Sequence, residues 1–368
     1  MSKDMSGAAF VGLLDLAAAE VGGKALACSD DFFAGMERLL EPGRGVFLPD
    51  EYTDRGKWMD GWESRRKRGE GHDQYHADQA ILRLGAPAFV RAIDVDTAHF
   101  LGNHPPFAEL EGIVAASGLS YEELRHKPKA SDPKLGWAPL LKQVPLGPGR
   151  QNLFLADSVD AVTHVRLSIF PDGGVARLRL WGHAAPSLSE APEEPGVKGL
   201  WSGEVDLVAL RRGGKALACS DAFFGPMNNL VAPGRANNMG GGWETKRRRT
   251  PGSDWILLQL GEPGKVGLVE VDTNHFKGNY PDRCALWGIY APGARITDLI
   301  VAKAWKLVLP ESKLNASERQ FFRKELKAEG PFTHVRLEIF PDGGVSRLRV
   351  YGKPSPSSEL PLKSDLEG

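Results

Sequence analysis

Apolar and polar residues alternate with a period of two through much of the chain. From Thr163 to Phe170, Thr, Val, Leu and Ile alternate with His, Arg, Ser and Phe, which predicts a half-buried strand. Pro171-Asp-Gly-Gly174 supplies the residues of a tight hairpin turn, and Val175 to Leu180 reads as the return strand with Ala176, Leu178 and Leu180 inward. Arg166, Arg177 and Arg179 then fall on the non-core face, as surface or interface side chains ahead of a substrate clamp. Lys24-Ala-Leu-Ala-Cys-Ser29 reads as a further strand, ended by a turn at Asp30. Short strands, Gly/Pro turns and little helical periodicity predict an all-β antiparallel sandwich. One stretch, Ser317 to Lys327, reads instead as a short helix capped by Ser317.

The pattern occurs twice. Gly22 to Asp30 returns as Gly213 to Asp221, Gly61 to Arg68 as Gly242 to Arg249, and Val95 to Asn103 as Val271 to Asn279. Thr163 to Gly182 returns as Thr333 to Gly352 with four changes. The offset shrinks from 191 residues at Gly22 to 170 at Thr163, so the second copy is the same unit with shorter loops. So long a period means tandem domains and excludes a solenoid. The expected organisation is a first repeat over 1–183, a Pro/Ser/Glu-rich linker over 184–200, a second repeat over 201–352 and a loose tail over 353–368.

Composition narrows the partners. Lys and Arg number 46 against 47 Asp and Glu, which argues against nucleic acid. No uninterrupted apolar run is long enough to span a bilayer, and Asp4 and Asp15 break any export-signal pattern near the start. Three cysteines fit free thiols in a reducing compartment, so the cytoplasm is the expected location. Cys28 and Cys219 occupy matching strand positions and read as small packing residues.

Taken together, Gly22-Gly-Lys-Ala-Leu26, Ser29-Asp-Asp-Phe-Phe33, Asp50 to Arg66, the two Asp-Thr-x-His-Phe-x-Gly-Asn segments and Thr163-His-Val-Arg-Leu with its Phe-Pro-Asp-Gly-Gly turn resemble the allantoicase family. The resemblance runs from about Leu14 to Gly352. It implies two tandem jelly-roll domains of the galactose-binding, discoidin-like type and a homo-oligomer, a trimer or hexamer. It also implies hydrolysis of allantoate to (S)-ureidoglycolate and urea in purine degradation for nitrogen use. One departure is local: the first copy carries five extra residues before Gly85, and Gln79 where the second has Trp255. The rival expectation is a non-enzymatic tandem carbohydrate-binding module, since sandwiches of this class often serve as lectins.

Allantoate carries a carboxylate and two ureido groups on one carbon. Losing urea needs a cation for the carboxylate, amide-type partners for the ureido arms, and an acid/base pair. For acid/base work the candidates are His99 with Asp96, and His275 with Asp272, where the aspartate orients the imidazole. Asn103 and Asn279 are candidates for the ureido carbonyl. Gly61 to Arg68 and its copy are the carboxylate-binding candidates, an Arg or Lys of the segment taking the carboxylate, with Glu63 and Arg65, and Glu244 and Lys246, two apart on one face. The plainer readings of these basic runs are solvated surface or a nuclear-localisation signal. Asp94, Asp96 and His99 have the ligand chemistry for Mn or Zn, but spacing alone assigns no metal. The expected cofactor set is therefore none, with a divalent metal left open.

Overall fold

One long strand organises each repeat. In the computed structural model, which describes residues 13–67, 77–116, 118–185, 197 and 199–367, this strand is β4 (Asp78–Asp96), preceded by β1 (Leu14–Asp15), β2 (Lys24–Cys28) and β3 (Trp62–Glu63). After it come β5 (Phe107–Ile113), β6 (Ala138–Pro145), β7 (Leu153–Leu155), β8 (Ala161–Phe170), β9 (Gly174–Val175) and β10 (Arg177–Ala184). The first half of β4 lies between β2 and β8, with β5 and β6 beyond β8. Its second half lies between β10 and β7, with β1 beyond β10. The pairing register breaks between Arg83 and Ala88, around Gly85-Ala-Pro87, so β4 passes from one layer to the other. Every pairing between these strands is antiparallel, and Leu82 in the first half and Ile93 and Val95 in the second are fully buried.

The second repeat follows the same plan. Its strands are β11 (Val205–Asp206), β12 (Lys215–Cys219), β13 (Trp243–Glu244), β14 (Asp254–Asp272), β15 (Arg283–Ile289), β16 (Lys306–Lys313), β17 (Arg319–Phe322), β18 (Phe332–Phe340), β19 (Gly344–Val345) and β20 (Arg347–Pro354). The all-β expectation of two tandem sandwiches holds. The chain divides into two compact units, Met1–Glu190 and Ala191–Gly368. Most of the 184–200 stretch and the first copy's extra residues lie outside the described residues.

Four expectations change. The Pro-Asp-Gly-Gly turn does not close a hairpin: both edges of β8 are taken by β4 and β5, while β10 pairs with the other half of β4. The turn is an arch between layers. Second, the polar face of β8 is buried too: Arg166 stacks 4.6 Å from the ring of Trp137 and pairs with Glu111. Trp137 belongs to an outer cluster with Leu124 of α1 (Tyr121–Arg125). Arg177 and Arg179 are likewise buried, at 3% and 9% exposure, because the loop from Glu41 to Asp60 covers them. Arg177 pairs with Asp60 at 2.7 Å, and Arg179 donates to the carbonyls of Glu41 and Gly43. Third, the predicted helix at Ser317–Lys327 is strand β17, which pairs with Val269–Asp272, and Ser317 itself has φ 51°. Fourth, the tail is docked: Asp365 accepts from Tyr290 N at 2.8 Å and from Lys306 at 2.9 Å.

Candidate active site

Glu63 is held from three sides. Its strand pairs with β9, Gly174 opposite Glu63 and Val175 opposite Trp62. Its backbone exchanges hydrogen bonds with Ala34, and Trp62, fully buried, donates through Nε1 to Asp30 O at 2.8 Å. The next residue, Ser64, bonds to the backbone of Gly173 in both directions. Asn103 Nδ2 donates to Glu63 Oε1 at 2.7 Å, and Asn103 O accepts from Gly174 N at 2.8 Å. Gly173 is required here: it sits at φ 138°, and a Cβ would come within 2.7 Å of Asn103 O and Pro105 N.

Glu63, Ser64, Asn103 and Gly173 line an open cleft of about 1020 Å³ with Phe32, Phe33, Arg65, Arg66, Lys67, His104 and Asp172. Burial pushes the Glu63 carboxyl above its ordinary range, only partly opposed by the Asn103 bond and the Arg66 charge. Arg65 is committed elsewhere. It donates through Nε to Asp30 at 2.8 Å and stacks over Phe32 at 4.9 Å. Burial raises the Asp30 carboxyl, but the two Arg65 bonds outweigh it and hold it below the carboxylate range. Arg66, its neighbour, is exposed in the cleft and forms no hydrogen bond or ion pair among the described residues. Lys67 pairs with Asp78 at 3.4 Å.

Glu63, Arg65 and Asn103, three of the candidates, therefore meet in one cleft; His99 does not join them. It lines a separate cleft of about 440 Å³ with Arg44, Gly45, Phe47, Ala98, Leu101 and Gly149. The expected Asp96–His99 pair does not form. Asp96 takes both Nε and Nη2 of Arg44, at 3.1 and 3.2 Å, and caps the turn through Ala98 N at 2.9 Å. His99, at φ 69°, engages Gly45 O through Nε2 at 3.0 Å and stacks on Phe47. The second copy repeats this: Asp272 binds Arg235 at 3.0 Å and Asn274 N at 2.8 Å, and His275, at φ 72°, engages Ala236 O at 2.8 Å. Both histidines latch a loop to the turn after the long strand.

Nor do Asp94, Asp96 and His99 converge as metal ligands, since Asp94 is bonded to Gln151 at 2.6 Å. Among the described residues no three His, Cys, Asp or Glu side chains are placed to share an ion. Burial raises the Cys28 thiol to about 12, which removes it as a nucleophile.

In the second repeat, Asn279 donates to Glu244 at 2.5 Å, Glu244 lies opposite Gly344, and Lys246 pairs with Asp221 at 3.3 Å. His104 escaped the sequence reading, and Arg66 fell inside the Gly61 to Arg68 candidate segment without being singled out from the four consecutive cations Arg65 to Arg68. His104 has no counterpart in the repeat, where Tyr280 stands, so matching the copies filtered it out.

A family model described as Allantoicase repeat matches residues 14–185 and 205–355. A relative from Pseudomonas aeruginosa (strain LESB58), named "Probable allantoicase", is 46% identical over 342 residues, covering 93% of this chain and 96% of that protein. A relative of the same name from Pseudomonas fluorescens (strain SBW25) is 43% identical, covering 95% and 98%. The crystal structure of allantoicase from Saccharomyces cerevisiae is 31% identical with a TM-score of 0.69, covering 92% of this chain and 93% of that one.

Proposed function

This chain belongs to the allantoicase family, and on that premise we propose that it hydrolyses allantoate to ureidoglycolate and urea in the first-repeat cleft of Glu63, Arg66 and Asn103. One observation carries the placement: a carboxyl kept protonatable by burial and aligned by Asn103 lines the same open cleft as an uncommitted guanidinium. Arg66 takes the substrate carboxylate with its two-pronged fork. Asn103 spends Nδ2 on Glu63, which leaves Oδ1 to accept from a ureido N–H. Glu63 Oε2 delivers its proton to the departing ureido nitrogen as the carbon–nitrogen bond breaks. The retained ureido nitrogen gives up its own proton to a base, leaving an acylimine. Water then adds to that carbon, returning one proton to Glu63, while the base returns the other to nitrogen. Arg65, tied to Asp30, shapes the wall.

The rival reading as a carbohydrate-binding module is not favoured, because relatives named as the hydrolase span nearly the whole chain. A cytoplasmic location is part of the same reading, supported by three unpaired thiols, and no described helix is long and apolar enough to cross a membrane. So is a homo-oligomer, a trimer or hexamer, supported by the exposed Ile296, Ile300 and Val301 of α2 (Ile296–Val301). Colorimetric urea release from allantoate tests the reading. Glu63→Gln lowers kcat by about 10²- to 10⁴-fold while the melting temperature stays put. A folded sample that leaves allantoate intact, with or without divalent ions, overturns the activity. A Glu63→Gln protein at wild-type rate overturns the cleft.

A further inference from the structure

We propose that turnover is confined to the first repeat, because His104 is the base that works opposite Glu63 and the second repeat holds Tyr280 in its place. The inference rests on the cleft assigned above and adds to it the missing proton acceptor.

His104 lines the cleft with Glu63, Arg66 and Asn103. One backbone segment fixes both partners. Gly174 pairs with Glu63 on one side and donates to Asn103 O on the other, and Gly173 presses against the backbone from Asn103 to Pro105. The backbones of His104 and Glu63 are therefore held by the same two glycines, so the two side chains enter one cleft from a shared, rigid frame. The His104 Nδ1 is buried and has no hydrogen-bond partner among the described residues, so Nε2 is the nitrogen left to face substrate. His99, by contrast, has its Nε2 committed to Gly45 O.

The second repeat keeps the clamp. Gly344 pairs with Glu244 and donates to Asn279 O at 2.8 Å, and Gly343, at φ 136°, packs on Asn279 to Pro281. At the position of His104 stands Tyr280, packed against the core, and a phenol hydroxyl does not take up a proton at neutral pH. The same frame thus holds a carboxyl with an imidazole in one copy and a carboxyl with a phenol in the other.

In the step itself, His104 Nε2 takes the N–H proton of the retained ureido group as urea leaves with the Glu63 proton. Water next gives its proton to the Glu63 carboxylate and its oxygen to carbon. His104 then returns its proton to the imine nitrogen, so both side chains end as they began. The test is steady-state urea release. His104→Gln is expected to lower kcat about 10²- to 10⁴-fold with KM within a few-fold. Added imidazole partly restores His104→Ala but not Glu63→Gln, which a structural role for His104 does not produce. Tyr280→Phe stays within twofold of wild type. A His104→Gln enzyme within threefold of wild-type kcat overturns the inference, as does a Tyr280→Phe loss matching that of His104→Gln. If Glu63→Gln is inactive while His104→Gln is not, the inference alone falls. If neither change matters, the cleft falls with it.

Discussion

Adjacent arginines in the first-repeat cleft differ in what they already hold, and that difference predicts unequal kinetic effects. Arg65 is 64% exposed and tied to Asp30, a pair worth under about 1 kcal/mol at such exposure. Arg65→Ala therefore changes kcat/KM by no more than about fivefold. Arg66 makes no protein ion pair among the described residues, so its full fork is available to a carboxylate. Two charge-assisted hydrogen bonds in a wet cleft contribute about 2 to 3 kcal/mol, so Arg66→Ala lowers kcat/KM about 30- to 150-fold, chiefly through KM. Arg66→Lys retains the charge without the fork and falls between. The assay is urea release across allantoate concentrations, with thermal melts showing that each variant is folded. If Arg65→Ala is the more damaging change, or Arg66→Ala leaves kcat/KM unchanged, the carboxylate is held elsewhere.

Two further changes test the scaffold. Asp60→Ala strips the partner from Arg177, whose side chain is 4% exposed, and costs the first repeat about 3 to 5 kcal/mol, read as a melting temperature lower by roughly 10 °C. Replacing His99 and His275 together with Asn loosens the loops they latch but leaves kcat within about threefold, since their Nε2 atoms are committed to carbonyls. Loss of urea release with the fold intact would return both to the mechanism.

Periodicity carried the strands, and the duplicated blocks carried the two sandwiches, because burial of one face imposes a period of two on each copy. Pairing partners were not legible. Nothing in Val175–Leu180 distinguishes a hairpin return from a strand crossing to the other layer; that choice follows from β5 having already taken the free edge of β8. Burial of Arg177 and Arg179 was hidden for a related reason. The segment covering them has only one two-residue ladder, and it holds Arg179 by backbone carbonyls that any sequence supplies, adding for Arg177 a single carboxylate, Asp60, more than a hundred positions away. At the site, Glu63 and Asn103 were found because both copies keep them. The Asp96–His99 pairing failed because sequence proximity said nothing of Arg44, fifty-two positions away, which takes the carboxylate.

Divergence between the copies also sets the charge balance on the two long strands. On β14, Glu270 is buried between Arg235 at 2.6 Å and Arg319 at 2.8 Å; burial raises its carboxyl, but the two arginines outweigh it and the net shift is down. In the first copy the matching Asp94 has Gln151 where Arg319 stands, and Arg44 bonds to Asp96 instead. Burial pushes Asp94 up to about 6, with the Asp96 charge adding to it. The sign follows: between pH 4 and 6 the folded protein holds a proton that the unfolded chain has lost, so stability falls as pH rises through that window. The penalty above it is about 3 kcal/mol. Gln151→Arg restores the second copy's arrangement at the rim, where Arg319 is 29% exposed. It is expected to regain about 1 to 2 kcal/mol at pH 8 and nothing at pH 4.5, where Asp94 is neutral. Thermal or urea unfolding of the first repeat at the two pH values measures it. A gain equal at both, or absent at pH 8, would mean that Asp94 is not the group whose ionisation the fold resists.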